Sequence, residues 1–172
     1  MGGLHVNPLP LPLGDGELVA WRLDQANYAR TWDSGEGAFQ LGGRWNSKNV
    51  RAVYCSVDPA TAILEVAVHR GFRVLDTVCH VMTAVTMKHV ADFKVITRAE
   101  IPNENWLRPG IPSTGQQAFG NQLLRDHKLF LIPSSVSTFS WNLIFDASSA
   151  KEFYSLRMQE TFALDPRLHP SR

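Results

Sequence analysis

Several classes of protein are excluded by what this 172-residue sequence lacks. It has only two cysteines, Cys55 and Cys79, too few for the disulfide framework of a small secreted domain. Each lies in an apolar run, so both are predicted to be buried, unreactive thiols. No apolar run is long enough to span a bilayer. The N-terminus has no basic stretch followed by an apolar one, as a signal peptide would. The expected location is therefore the cytoplasm.

An excess of either charge is also lacking, because 17 basic and 16 acidic residues leave a formal net charge of +1. Proteins that bind nucleic acids usually carry a basic excess or a basic stripe. We therefore expect no direct nucleic-acid contact, which disfavours an RNase toxin. The six histidines show no zinc-binding spacing. There is no Walker A sequence and no complete dinucleotide fingerprint. The sequence thus predicts neither a metal site nor a glycine-rich nucleotide loop.

The N-terminal half is predicted to contain an extended arm and then two strands and a helix. Residues 1–17 hold alternating prolines, which suit a surface arm rather than a helix or central strand. The domain proper is expected over 18–172. Strands are predicted at 18–23 and 52–56, with a glycine-containing irregular region from 33 to 51 between them.

The helix after the second strand begins at an N-cap, Asp58, followed by a proline, and ends at Gly71. Glu65 lies in this helix, and its helical angle places it on the polar face. The apolar stripe is formed by Ala60, Ile63, Leu64, Ala67 and Val68.

The C-terminal half is predicted to be mainly β-structure with one helix. Residues 73–86 are expected to form one long strand or a bent pair, and 101–114 a loop. A capping box of Thr114 and Gln117 predicts a helix to about residue 126. Further strands are expected at 129–132, 139–145 and 156–162. Helices and strands alternate without a regular βαβ order, so we predict a single α+β domain with mixed or antiparallel sheets.

Three features carry candidate chemistry, and each has an ordinary structural alternative. Gly42-Gly43-Arg44-Trp45-Asn46 is either a phosphate-holding loop or a glycine turn with a surface arginine. Glu65 is either a solvated glutamate or a carboxylate that stabilises positive charge on a sugar carbon. Ser134, after a buried strand and Pro133, either binds a ligand oxygen or caps a turn. Composition alone does not decide among these interpretations.

The order Arg44, Glu65, Ser134 resembles the RES domain, a family named for its Arg, Glu and Ser. The resemblance extends from about residue 18 to 169. The first block is Gly35-Glu36-Gly37-Ala38 followed by Gly42-Gly43-Arg44-Trp45-Asn46. The second is Val53-Tyr54-Cys55-Ser56 and the helix with Leu64-Glu65. The third is Leu131-Ile132-Pro133-Ser134 and Asn142, and the closing block is residues 162–168. A weaker middle block contains Trp106 and Gly120. The active serine is Ser134 or the adjacent Ser135, and Ser134 is preferred because it directly follows the proline.

The resemblance implies a fold similar to ADP-ribosyltransferases and a toxin that consumes NAD as substrate, with no bound cofactor. Cleavage of the nicotinamide–ribose bond would be by hydrolysis, or by phosphorolysis with inorganic phosphate as co-substrate. Arg44, Glu65 and Ser134 would be catalytic, and Arg22, Arg44, Tyr54 and Asn142 would bind NAD. The implied partner is a cognate Xre-type antitoxin. A homodimer or a larger toxin–antitoxin assembly is left open.

Two other functions remain as alternatives at this stage. The first is mono-ADP-ribosylation of a specific cellular protein, which breaks the same bond but uses a protein side chain as acceptor. The second is a non-enzymatic, partner-binding domain whose arginines contact an acidic surface. NAD binding separates the first alternative from the second.

Overall fold

The computed structural model describes residues 17–168. Of the predicted proline-rich arm, residues 1–16 lie outside this range. The strands are β1 Leu18–Gln25, β2 Val53–Ser56, β3 His80–Met87, β4 Lys94–Val95, β5 Leu129–Pro133, β6 Trp141–Phe145 and β7 Tyr154–Phe162. The α-helices are α1 Glu36–Leu41, α2 Pro59–Arg70, α3 Phe72–Thr77 and α4 Thr114–His127. Short 3-10 helices lie at Ala26–Thr31, Val90–Asp92, Arg98–Glu100, Glu104–Leu107, Lys151–Phe153 and Pro166–Leu168.

All seven strands belong to one mixed sheet in the order β4-β5-β6-β2-β1-β3-β7. β4 and β5 are parallel, and the other neighbours are antiparallel. β1 pairs with β3 along its whole length, but it meets β2 at one residue pair, Trp21 opposite Ser56. The sheet is therefore two ribbons joined at a narrow seam between β1 and β2. This architecture confirms the predicted single α+β domain.

The two faces of the sheet bury different side chains because alternate residues of a strand point to opposite faces. One face, with Leu18, Val53 and Leu143, packs into one continuous apolar cluster. On the other face, Phe130 and Ile144 pack with residues of α4, while Leu23 and Met82 pack with residues of α2 and α3. The helix-covered face thus holds two apolar clusters, one on each side of the seam.

Two helices occur where the sequence predicted other structure. α1 lies inside the supposedly irregular region 33–51, where Gly37 within the helix and Gly35 before it concealed the helical pattern. α3 occupies the first part of 73–86, which was predicted to be strand because of its β-branched residues. Leu75 of α3 is buried in the cluster shared with α2, and this tertiary packing outweighs local propensity.

The orientation of α2 differs from the predicted one. Asp58 is its N-cap, as expected, and accepts a hydrogen bond from the backbone N–H of Thr61. The predicted stripe residues Ala60 and Val68 are exposed, however, whereas Thr61 is buried. The side of α2 that carries Thr61 and Glu65 therefore faces the protein. The predicted apolar stripe is confirmed for Ile63 and Ala67, which pack in the cluster with α3, but it was wrong for Ala60 and Val68.

The N-cap of α4 also differs from prediction. Ser113, rather than Thr114, caps the helix by accepting from the Gln116 N–H. Gln117 instead donates from its side chain to the carbonyl of Gly43, 2.9 Å away. Gln117 was predicted to be half of a capping box, but it holds residues 42–46, which we call the Arg44 loop, against α4.

The two cysteines have different environments. Cys55 is buried, and its burial raises the pKa of the thiol to about 12. Cys79 is exposed, so the prediction that both thiols are buried was wrong for this residue. It lies between α3 and β3, next to Val78, which is also exposed. None of the helices in residues 17–168 is long and apolar enough to cross a membrane.

Candidate active site

Glu65 lies on α2, on the side of the helix that faces the sheet, and its carboxylate is held by the protein. Its Oε1 accepts hydrogen bonds from the Ser134 hydroxyl at 2.9 Å and from the Asn142 side-chain amide at 2.6 Å. Both bonds converge on the same oxygen. The Oε2 atom accepts no hydrogen bond from residues 17–168 and is left for a ligand.

Ser134 is the serine that faces this carboxylate. It follows the last residue of β5 and is completely buried. Its hydroxyl group donates to Glu65. The hydroxyl oxygen also accepts from the backbone N–H groups of Val136 and Ser137, at 3.1 and 3.0 Å. A hydroxyl has one donor and two acceptor positions, so that of Ser134 is saturated. Ser134, rather than Ser135, therefore contacts Glu65 and is suited to hold it in place.

Asn142 is oriented by a fourth residue, Ser56, which sequence reasoning missed. Ser56 and Asn142 are directly opposite each other in β2 and β6. The Ser56 hydroxyl donates to Asn142 Oδ1 at 2.9 Å, which leaves the Asn142 amide N–H groups directed at Glu65. A buried polar residue at the end of a strand was the available signal. Ser56, Asn142 and Ser134 form a polar group at the seam, and we call them, with Glu65, the Glu65 cluster.

The Arg44 loop, residues 42–46, is built around Tyr54 and Asn46. The Tyr54 hydroxyl accepts from the Trp45 N–H at 3.0 Å and donates to Asn46 Oδ1 at 2.6 Å. A Cβ at Gly43 would lie 2.6 Å from both side chains, so glycine is required there for close packing. Burial raises the pKa of the Tyr54 phenol, which keeps it a neutral donor. Tyr54 therefore positions the loop, and its predicted packing against nicotinamide remains a prediction.

The Arg44 guanidinium lies between the Glu65 cluster and the loop that precedes α4. Its Nη1 donates to the carbonyls of Trp106 at 3.0 Å and Arg108 at 3.2 Å, and Nη2 donates to that of Gly110 at 3.5 Å. Burial lowers the pKa of Arg44, while the negative charge of Glu65 partly offsets this effect. Arginine stays protonated in proteins, so Arg44 is a fixed, half-buried cation near Glu65.

Arg22 was also predicted to bind NAD, and it is placed apart from the Glu65 cluster. Its side chain forms a bidentate ion pair with Asp24 and donates from Nη1 to the Tyr54 carbonyl at 2.8 Å. In β1 it shares a face with Leu18 and Ala20, opposite the helix-covered face. Arg22 thus joins the two ribbons where β1 and β2 separate.

Among residues 17–168, no group of three or more His, Cys, Asp or Glu side chains is arranged to hold a metal ion.

The fold and the site define an α+β domain in which the Glu65 carboxylate is fixed at the seam of a split sheet and interacts electrostatically with a half-buried arginine, Arg44. Comparison with known proteins identifies the family. Residues 19–166 match the RES domain model, and the chain belongs to the RES domain family.

Two named relatives are similar to this chain in sequence, and a solved structure is similar to it in fold. The chain is 28% identical over 156 residues to Toxin Res of Photorhabdus laumondii, covering 88% of this chain and 97% of that one. It is 26% identical over 155 residues to Toxin Res of Pseudomonas putida, covering 88% and 99%. Its fold is similar to a chain in the crystal structure of the M. tuberculosis MbcT–MbcA toxin–antitoxin complex. That match has a TM-score of 0.70 and 18% identity, and it covers 86% of this chain and 85% of that chain.

Proposed function

We propose that this protein is the toxin of a toxin–antitoxin pair and that it depletes NAD by cleaving the nicotinamide–ribose bond. The observation that carries the proposal is the Glu65 carboxylate, fixed through one oxygen by Ser134 and Asn142 and lying near the cationic Arg44. Membership of the RES domain family supports it, as do two relatives that are both named Toxin Res.

Glu65 supplies the charge that this reaction requires. When the bond between the ribose carbon and the nicotinamide nitrogen breaks, the electron pair leaves with nitrogen, and positive charge grows on the sugar. A carboxylate fixed beside that sugar stabilises the transition state more than the ground state. Nicotinamide departs neutral from a cationic ring, so no general acid is needed. A water or phosphate oxygen then forms the new bond to carbon, and any proton it carries is released to solvent.

Arg44 is suited to hold an anionic part of the substrate. A guanidinium has five N–H groups, and three of those of Arg44 donate to loop carbonyls. The two remaining groups are sufficient for a paired contact with phosphate oxygens. In this role Arg44 binds the pyrophosphate of NAD or an attacking inorganic phosphate, while Glu65 faces the ribose.

An antitoxin of the Xre type is the proposed protein partner. The structural neighbour was solved as a toxin–antitoxin complex, which supports a partner protein for this chain as well. Expression of this gene alone should arrest growth. Co-expression with a neighbouring Xre-like gene should relieve that arrest, and the two proteins should co-purify. Growth arrest that persists despite co-purification would contradict neutralisation by that partner.

The test of the activity is to incubate the purified protein with NAD, with and without inorganic phosphate, and to measure nicotinamide release. We expect release in at least one condition. Release that requires phosphate identifies phosphorolysis, and equal release in both identifies hydrolysis. Labelled NAD that becomes attached to a lysate protein would instead indicate ADP-ribosyl transfer. No nicotinamide release in any of these assays would overturn the proposal.

A further inference from the structure

A cavity of about 290 Å³ lies beside Arg44, on the side of the segment 103–113. Its volume is near the lower end of the range for small-molecule sites. Six of its lining residues carry a cation, an amide or an aromatic ring, namely Arg44, Asn103, Asn105, Trp106, Arg108 and Gln116. Arg44 therefore contributes to this cavity and also lies near Glu65.

The charge of the cavity suits an anionic ligand. Two arginines line it, and none of the described lining residues is an aspartate or glutamate. The whole sequence carries a net charge of only +1, so this is a local concentration of positive charge. Among residues 17–168, the Arg108 guanidinium has no hydrogen-bond or ion-pair partner. It can turn to a phosphate at no cost in existing bonds.

The neutral residues of the cavity suit a purine base. Side-chain amides donate and accept together and so match the amino group and ring nitrogens of adenine. The Asn105 amide has no partner among residues 17–168, and Gln116 uses only its N–H end, on the Trp106 carbonyl at 2.9 Å. Trp106 adds an aromatic surface of the kind on which bases stack. Its ring is held by Trp45 and Phe119, with ring centres 6.5 and 5.8 Å away.

Arg44 joins the cavity to the Glu65 cluster. Its Nη1 holds the carbonyls of Trp106 and Arg108, so the wall of the cavity is fixed to the same guanidinium that faces the substrate. A dinucleotide with its reactive ribose at Glu65 and its pyrophosphate at Arg44 has a second nucleotide beyond that arginine. The cavity is lined by Arg44 and not by Glu65, as expected for the site of that second nucleotide.

We propose that the cavity lined by Arg44, Trp106 and Arg108 is the subsite for the AMP half of NAD and makes the protein selective for the dinucleotide. This inference rests on the proposed function. Binding energy from the AMP half, remote from the reacting bond, contributes to kcat/KM for NAD. Nicotinamide mononucleotide has the same scissile bond but lacks that half.

The experiment compares kcat/KM for NAD and for nicotinamide mononucleotide, both measured by nicotinamide release. The wild type should prefer NAD by roughly tenfold or more, because nicotinamide mononucleotide lacks several contacts, each worth about 0.5–1.5 kcal/mol, or roughly 2- to 12-fold. Arg108→Ala and Asn105→Ala remove exposed side chains and should each lower the NAD-to-mononucleotide ratio by roughly threefold to tenfold. Arg73→Ala, an exposed arginine outside the cavity, is the matched control and should leave the ratio unchanged.

Two results would overturn the subsite while leaving the proposed function intact. One is equal kcat/KM for the two substrates in the wild type. The other is a ratio that neither Arg108→Ala nor Asn105→Ala changes relative to Arg73→Ala. Failure of the wild type to cleave either substrate would overturn the proposed function itself. AMP added to the NAD assay gives a second readout, since it should inhibit the wild type more strongly than the Arg108→Ala variant.

Discussion

The two oxygens of Glu65 have different surroundings, and this asymmetry decides which substitution tests the residue. Oε1 is the common acceptor for Ser134 and Asn142, both of which are buried. Replacement by alanine would leave a buried hydroxyl and a buried amide unpaired, at a cost of about 1–3 kcal/mol each. The alanine variant would therefore mix a loss of stability with a loss of charge. Glutamine keeps an acceptor oxygen and removes only the charge.

We predict that Glu65→Gln lowers kcat for NAD cleavage by on the order of 10²–10³-fold, the usual effect of removing one transition-state stabiliser. The free energy of unfolding should change by about 1 kcal/mol or less, because both hydrogen bonds to Oε1 can be kept. Nicotinamide release and urea unfolding measure the two quantities. A glutamine variant with near-normal kcat would mean that the negative charge of Glu65 is not used.

Ser56 acts on Glu65 only through Asn142 and is thus a positioning residue. We predict that Ser56→Ala lowers kcat by roughly 2- to 12-fold, the equivalent of one neutral hydrogen bond, with little change in KM. Ser56→Thr keeps the hydroxyl and should restore most of the rate. The steady-state parameters of both variants are the measurement.

The control for Ser56 is another buried hydroxyl on the sheet. Thr83 is completely buried and accepts from the Gln159 side chain at 3.1 Å, away from the Glu65 cluster. Thr83→Val also removes one buried hydroxyl, so it should lower the free energy of unfolding about as much as Ser56→Ala does, but it should leave kcat unchanged. If Thr83→Val and Ser56→Ala lower kcat equally, the loss reflects stability, and the positioning role of Ser56 is wrong.

At the scale of elements, the Arg44 loop depends on how closely α4 approaches it. A Cβ at Gly120 would lie 2.0 Å from the Trp45 carbonyl oxygen, which is too close for any contact. The same helix holds the loop through Gln117, which bonds Gly43, and Asn121, which bonds Ser47. Any shift of α4 away from Trp45 will therefore displace Arg44.

We predict that Gly120→Ala destabilises the protein by roughly 1–3 kcal/mol, the usual cost of overpacking, and sharply lowers kcat/KM. Gly37→Ala is the matched control, because the new Cβ would have no neighbour within 4 Å and Gly37 lies within α1. That control should be neutral or more stable by about 0.5–1 kcal/mol. Thermal melts and NAD kinetics of both variants test the close contact. Equal stability of the two variants would contradict it.

The elements differ in how far the sequence could predict them. The Asp58 cap and the buried strand before Ser134 were predictable because their signals are local. α3 was not, because its helix is stabilised by burial of Leu75 against α2, a contact between elements. The sequence left open whether Glu65 faces solvent or a site, for a related reason. Charged residues are normally expected to face solvent, but here Ser134 and Asn142 donate hydrogen bonds to the inward-facing Glu65 carboxylate.

The order of Arg44, Glu65 and Ser134 in the sequence indicated the family, but it did not predict which contacts each residue makes. Ser134 proved to be saturated, and Arg22 lies on the opposite face of the sheet. For Ser56 the sequence offered only a polar residue at the end of a predicted strand. Its pairing with Asn142, and the loop packing that forms the cavity beside Arg44, cannot be predicted from one sequence.

At the scale of the whole molecule, the position of the site at the seam links ligand binding to the stability of the fold. The β1-β3-β7 ribbon is joined to the rest of the sheet by the single residue pair Trp21–Ser56 and by the hydrogen bond from Arg22 to the Tyr54 carbonyl. α2 packs on β1 and also carries Glu65, which bonds residues of the other ribbon. A substrate bound at Glu65 and Arg44 contacts groups held by both ribbons, and the unfolded chain offers no such site.

We therefore predict that NAD raises the melting temperature of the Glu65→Gln protein, which is expected to bind substrate without consuming it. At 100 times Kd the stabilisation is about 2.7 kcal/mol, and for a domain of this size it corresponds to roughly 5–11 °C. The melt should remain a single transition, since the ribbons share the seam. Sodium chloride at matched ionic strength controls for screening. A shift no larger than the salt control at millimolar NAD would show that the substrate does not bind here, and two separate transitions would show that the ribbons unfold independently.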